Sequence, residues 1–258
     1  MSHVVRETVA DQRLDLESKD TKACSMESVL LSVIVPAFNE EATIDELLTR
    51  VLAADPAQKE ILVIDDGSTD ATAQRVEARL HDSRIKLISH SVNQGKGAAI
   101  RTGLAAAKGQ LTIIQDADLE YDPEDYSKIL FPIIEEDADI VYGSRHLERQ
   151  HRLRFFDVGI LGLNLAARVL FGVRTTDEAT CYKAAPTAVF RRMNLICNRF
   201  EFCPEVTAKV GRLRLRLVEV PVSYRPRTET AGKKLRWYDG VSAFWTLLKW
   251  RFKALNSE

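Results

Sequence analysis

The chain has 258 residues, 45% of them apolar and 28% charged, with 12 Gly and 8 Pro. This is an ordinary globular composition, long enough for a buried core, and it excludes disorder, collagen and coiled coil for the bulk of the chain. The formal net charge of -1 conceals a split: Val206 to Glu258 holds 12 Lys/Arg and 4 Asp/Glu, a net of +8, against -9 for residues 1–205. An acidic front and a basic end predict an anionic ligand near the second part.

Residues 1–28 are polar and aperiodic and read as a mobile tail without an apolar signal core, an expectation against secretion. The ordered domain is predicted to start at Val29. Leu30 to Pro36 is a continuous apolar run, a short buried strand. Glu41 to Ala54 reads as a helix with Ile44, Leu47, Leu48 and Val51 on one face. Ile61 to Asp65 is the second strand. Asp66-Gly67-Ser68 makes a turn, and Asp70 caps a helix through Leu80. Arg84 to Ser89, Leu111 to Gln115 and Ala138 to Gly143 are further strands. Between them lie helices from Gly97 to Lys108 and from Pro123, in the first turn, to about Glu136.

This alternation predicts an α/β fold, a mainly parallel sheet with helices on both faces. Ligands of such sheets gather at the carboxyl ends of the strands. Asn39-Glu40, Asp65-Asp66, Asn93 to Gly97 and Asp116 to Glu120 all fall there. The second part is less regular. A basic segment spans 144–156, helices are predicted at Asp157–Phe171 and Phe202–Val210, and Arg214 to Tyr224 alternates like a strand. A basic loop over 225–239 precedes an amphipathic helix from Val241 to Leu255. On that helix Phe244, Trp245, Leu248 and Phe252 form an apolar face with Lys249, Arg251 and Lys253 around it, as in helices that rest on anionic membrane surfaces or against a partner. No run approaches the roughly 18 apolar residues of a membrane span.

Asp116-Ala117-Asp118 closes an apolar strand. Two carboxylates so placed can hold Mg²⁺ or Mn²⁺ against a diphosphate, with Glu120 as a further oxygen. A carboxylate of Asp65-Asp66 can accept hydrogen bonds from a nucleobase or ribose. Asn93-Gln94-Gly95-Lys96-Gly97 precedes a helix, so its amides and Lys96 can meet phosphates. It is neither a P-loop nor a dinucleotide fingerprint: Gly97 stands where Ser/Thr belongs, and Ile100 where the third glycine belongs. Cys24, Cys181, Cys197 and Cys203 form no C-x-x-C pair and, with the histidines, no zinc spacing, so reduced thiols are expected. No motif supports nucleic-acid binding by the basic second part.

In sequence, SVIVPAFNEE, ILVIDDGSTDAT, NQGKGAAIRTG, QDADLEYDPEDY, VYGSR, TDEATCYKA, FEFCPEVTAKV and VEVPVSYRPRTETAGKKLRW resemble the family-2 glycosyltransferases of the GT-A fold. The resemblance is to their dolichol-phosphate-mannose-synthase-like branch and covers about Leu31 to Asp239. It implies a nucleotide-diphospho-sugar transferase fold over 29–239, followed by the helix of 240–258. It implies that Pro36, Phe38, Glu40 and Asp66 line the nucleotide pocket. It also implies that Asp116 and Asp118 bind the metal and that Arg227 and Lys234, with Lys233 beside them, face the donor diphosphate. Arg145 matches an arginine that meets the acceptor phosphate, and Arg168 is a second candidate. Glu120 stands where mannosyl-transferring relatives often carry Gln.

The implied reaction is inverting, divalent-metal-dependent transfer from GDP-mannose or a UDP-hexose to a polyprenyl phosphate. It would occur at the cytoplasmic face of a membrane, through peripheral contact or a membrane partner subunit. A hydroxyl acceptor, soluble or on a protein, would need a carboxylate base, for which Asp177 and Glu178 are the candidates. A non-catalytic nucleotide-sugar-binding protein is the third reading. Arg145, Arg149, Arg152 and Arg154 favour a phosphate acceptor.

Overall fold

The computed structural model describes residues 29–147, 155–227 and 237–253. The expected tail of 1–28, Arg149, Arg152, Arg154, and the candidate donor ligands Lys233 and Lys234 lie outside the described residues.

Seven strands form one sheet: β1 (Leu31–Ala37), β2 (Lys59–Asp65), β3 (Ile85–Ser89), β4 (Leu111–Ile114), β5 (Ile140–Ser144), β6 (Lys183–Pro186) and β7 (Leu217–Pro221). Their order is β3-β2-β1-β4-β6-β5-β7. β1 pairs in parallel with β2 and β4. Continuous apolar runs form these central strands because both faces are covered. Ile34, Leu62 and Ile114 pack on one side, and Val33, Val35, Val63 and Ile113 on the other.

Helices α1 (Ile44–Ala53) and α4 (Tyr126–Glu135) close one face. Helices α3 (Lys96–Ala106), α6 (Thr187–Arg192) and α7 (Phe202–Arg212) close the other. The short α2 (Thr72–Glu77) follows β2, and α5 (Phe155–Phe171) follows β5. The alternating elements from Leu31 to Ser144 thus match the sequence pattern. Asp70 stands one residue before the N-cap of α2, Ala71, rather than at it, and its Oδ1 accepts from the Thr72 amide at 3.0 Å; the helix ends at Glu77, short of the expected Leu80.

β6 and α6 are additions to the predicted elements. β6 lies antiparallel between β4 and β5, pairing Thr112 with Ala185 and Val141 with Ala184. Its four residues, Lys-Ala-Ala-Pro, lack the β-branched run that marks a strand. The sheet recruits them because Ala184 and Ala185 are small enough to be fully buried between its neighbours.

The last helix, α8, runs from Trp237 to Phe252, four residues earlier than its periodicity indicates. It has two apolar faces. Leu247 and Trp250 are buried with Leu163 and Ala166 of α5 and Ala208 of α7. Phe244, Trp245 and Phe252 of the expected apolar face are exposed. No helix among the described residues is long and apolar enough to cross a membrane.

Candidate active site

Three loops at the carboxyl ends of β1, β2 and β4 build the site. After β1, Asn39 takes a positive φ of 51°, and its Oδ1 accepts from the Thr69 amide at 2.8 Å. The Glu40 amide donates to Thr72 Oγ1 at 2.8 Å. These bonds fasten the β1 loop, which starts at Phe38 just after Pro36 and Ala37 of β1, to the loop after β2. Asp65 ends β2 and Asp66 follows it, and both are buried. Asp65 accepts from the Ser68 amide at 3.3 Å. Asp66 takes the amides of Gln94 at 3.0 Å and Gly95 at 2.7 Å, with His90 Nδ1 at 2.7 Å. Asp66 therefore shapes the loop that carries Lys96. This is a second task beside the nucleotide contact that the resemblance implies.

Lys96 opens α3, and its ammonium pairs with Asp116. The turn after β4 then presents Asp118. Burial, followed by the charges of Asp116 and Glu120, pushes its carboxyl up to about 7. A crowded carboxylate pair of this kind fits a divalent cation, which would relieve the repulsion. Two carboxylates suffice where substrate phosphates complete the coordination, as Mg²⁺ prefers. Among the described residues no group of three or more His, Cys, Asp or Glu is arranged to hold a metal. Glu120, the expected third oxygen, has other partners: Oε1 accepts from the Arg227 amide and Oε2 from the Tyr224 hydroxyl, both at 2.9 Å.

Arg227 reaches this turn from beyond β7. Its Nε donates to the Asp118 carbonyl at 2.9 Å, and its Nη2 pairs with Glu40 at 2.7 Å. A guanidinium is thus held beside Asp118 by a residue 187 positions away in sequence. Tyr224 is a site residue that the sequence reading passed over. Its ring lies under Arg145, 5.1 Å from the guanidinium carbon, while its hydroxyl holds Glu120. The alternation of the β7 strand was the available signal, but it gave no partner.

Arg145, the residue after β5, forms a bidentate fork with Asp177, Nε–Oδ2 at 2.7 Å and Nη2–Oδ1 at 2.6 Å. Burial pushes the Asp177 carboxyl up, but the Arg145 hydrogen bonds and charge outweigh it and hold the group below its usual range. Both oxygens of Asp177, a candidate base, are thus engaged by the Arg145 guanidinium, which they hold in position. Glu178, the other candidate, is fully buried behind the site. Burial pushes it up to about 7, against the pull of Lys183 and Thr207. Arg168, the second acceptor-phosphate candidate, is exposed on α5, one turn beyond Asn164. Cys181, also unforeseen, adjoins Lys96; a hydrogen bond with Cys203, opposed by burial and aided by Lys96, brings its thiol down to about 6.

Comparison with known proteins shows the family. Residues 32–196 match the family model described as glycosyl transferase family 2. An uncharacterised protein of Methanocaldococcus jannaschii is 30% identical over 74% of this chain and 79% of its own length. The dodecaprenyl-phosphate galacturonate synthase of Rhizobium johnstonii is 29% identical over 81% of this chain. The dolichyl-phosphate beta-glucosyltransferase of Dictyostelium discoideum is 30% identical over 81% of this chain and 70% of its own length. The chain spans 62% of the length of the Rhizobium relative.

Among solved structures, the glucosyl-3-phosphoglycerate synthase of Mycobacterium tuberculosis superposes with a TM-score of 0.67 at 24% identity, over 88% of this chain and 82% of that one. That enzyme has also been crystallised with Mn²⁺, uridine diphosphate and phosphoglyceric acid. The superposition shows the GT-A fold. With the family match extending from β1 through α6, the chain belongs to glycosyl transferase family 2.

Proposed function

We propose that this glycosyltransferase moves a sugar from a nucleotide diphosphate, GDP-mannose or a UDP-hexose, to a polyprenyl phosphate, with inversion at the anomeric carbon. Relatives named for dodecaprenyl- and dolichyl-phosphate support the acceptor class. The observation that carries the reading is the Arg145–Asp177 fork. A hydroxyl acceptor needs a free carboxylate base, whereas a phosphate oxygen is already ionised and needs a cation to orient it. The site commits its candidate base to holding such a cation.

On the donor side, Asp116 and Asp118 are the residues to hold Mg²⁺ or Mn²⁺, which when bound supplies charge stabilisation to the leaving diphosphate. Lys96 and Arg227 flank the same turn and can stabilise the developing charge. Glu40 and Glu120 hold Arg227 in place. Lys233 and Lys234 complete the proposed donor contacts.

The same reading puts the catalytic domain of 29–239 at the cytoplasmic face of a membrane, with the 240–258 helix as its contact element. In its support, Val241, Phe244, Trp245 and Phe252 of α8 are exposed, as are Leu161, Leu165 and Val169 at four-residue spacing on the adjoining α5. The function is tested by incubating the protein with donors, divalent metal and polyprenyl phosphate. A mild-acid-labile glycosyl phospholipid is the expected product. Transfer to hydroxyl acceptors alone, with none to polyprenyl phosphate, would overturn the reading.

A further inference from the structure

Two thiols meet beside Lys96, and the proposed transfer assigns them no role. Cys181 precedes β6, Cys203 lies in the first turn of α7, and their sulfurs are 3.5 Å apart. Cys181 is half-buried and Cys203 buried. The Cys203 thiol is also within 3.3 Å of the Thr180 carbonyl, which fixes its position. The Lys96 ammonium pairs with Asp116, and its charge also acts on the Cys181 sulfur. A disulfide has sulfurs about 2.05 Å apart, so the pair needs to close by roughly 1.5 Å, within reach of side-chain rotation.

We propose that Cys181 and Cys203 form a dithiol modification site, at which a hydroperoxide closes a disulfide and takes from Lys96 its sulfur partner. The Cys181 thiolate attacks the peroxide; the O–O bond breaks, leaving a sulfenic acid and, for hydrogen peroxide, one water once the departing hydroxide is protonated. Cys203 sulfur then attacks the sulfenic sulfur. The S–O bond breaks, and the hydroxide leaves with the Cys203 proton as a second water. Two thiols are oxidised and one peroxide is reduced, and a small thiol reverses the bond by exchange. The consequence for the donor rests on the proposed function, because it takes Lys96 as a donor contact.

The test treats the full-length protein with a few equivalents of hydrogen peroxide, alkylates it, and maps its peptides without reduction. A Cys181–Cys203 cross-linked peptide is expected, lost on adding dithiothreitol, with Cys24 and Cys197 alkylated. In Cys203→Ser, Cys181 is expected as a sulfenic acid trapped by dimedone. Full alkylation of both thiols in the treated wild type, or a bridge to Cys24 or Cys197 instead, would overturn the proposal whether or not the variant folds. Oxidised protein should bind its nucleotide-sugar several-fold more weakly in a thermal-shift titration. Equal binding by the bridged and reduced forms would overturn the link to Lys96. Failure of both forms to bind any donor would count against the proposed function and leave the peptide map to decide on the bridge.

Discussion

At the residue scale, the site depends on carboxylates with opposite fates. Asp118 is crowded by like charges, so Asp118→Asn removes repulsion along with the proposed metal ligand. Donor turnover should fall by roughly 100-fold or more while the melting temperature holds or rises; nucleoside diphosphate release and thermal unfolding check the two halves. Asp177 is the converse case, a carboxylate stabilised by its cation. Asp177→Ala leaves Arg145 buried without its charge partner, and removing one member of a buried pair costs about 3–5 kcal/mol, readable as a lowered urea midpoint.

Glu178 gives a pH signature. Its carboxyl titrates near 4.5 when unfolded and near 7 when folded. The stability linked to it is complete below about 4.5 and is lost as pH rises to about 7, because over that window only the unfolded chain releases the proton. Glu178→Gln cannot ionise, so its stability relative to wild type should increase by roughly 1–3 kcal/mol between pH 5 and pH 7.5, as followed by denaturant unfolding. The carboxylates of the Asp116 turn were legible from residue type and strand position. Their partners were not, since nothing near Asp116 in sequence names Lys96 and nothing near Glu40 names Arg227.

At the scale of elements, adjacent loops share contacts that leave no space for side chains. Gly67 has φ +72°, and a Cβ there would lie 2.7 Å from the Asn93 amide nitrogen. Gly67→Ala should therefore push the β2 turn away from the loop that bears Lys96 and lower stability by about 1–3 kcal/mol, with weaker donor binding in a thermal-shift titration. The strands with continuous apolar runs, β1 and β2, and the helix with a clear apolar face, α1, could be read directly, because burial on two faces or one stripe leaves a periodic trace. β6 left none. Four residues with two alanines are too short to show a period, and the gap between β4 and β5 that it fills is a property of the sheet.

At the scale of the whole molecule, the charge split acquires a geometry. Arg227 comes from the basic second part and closes over carboxylates of the acidic first part. Under the proposed function, the exposed apolar residues of α5 and α8, with Lys249 and Arg251 in the last turn of α8, would face anionic lipid. Co-sedimentation with anionic vesicles should drop several-fold in a Phe244→Glu/Trp245→Glu variant, with secondary structure unchanged because neither side chain belongs to the buried α8 face.

The succession of elements along the chain from β1 to β5, and the placing of acidic residues at strand ends, were determined by the sequence alone, since local periodicity and turn chemistry act over a few residues. Which of those residues meet was decided only by the tertiary structure. The Arg145–Asp177 fork, the Lys96–Asp116 pair and the Arg227–Glu40 pair all join separate loops. Strand order and the inserted antiparallel β6 set those meetings, and neither leaves a periodic trace in the residues it brings together.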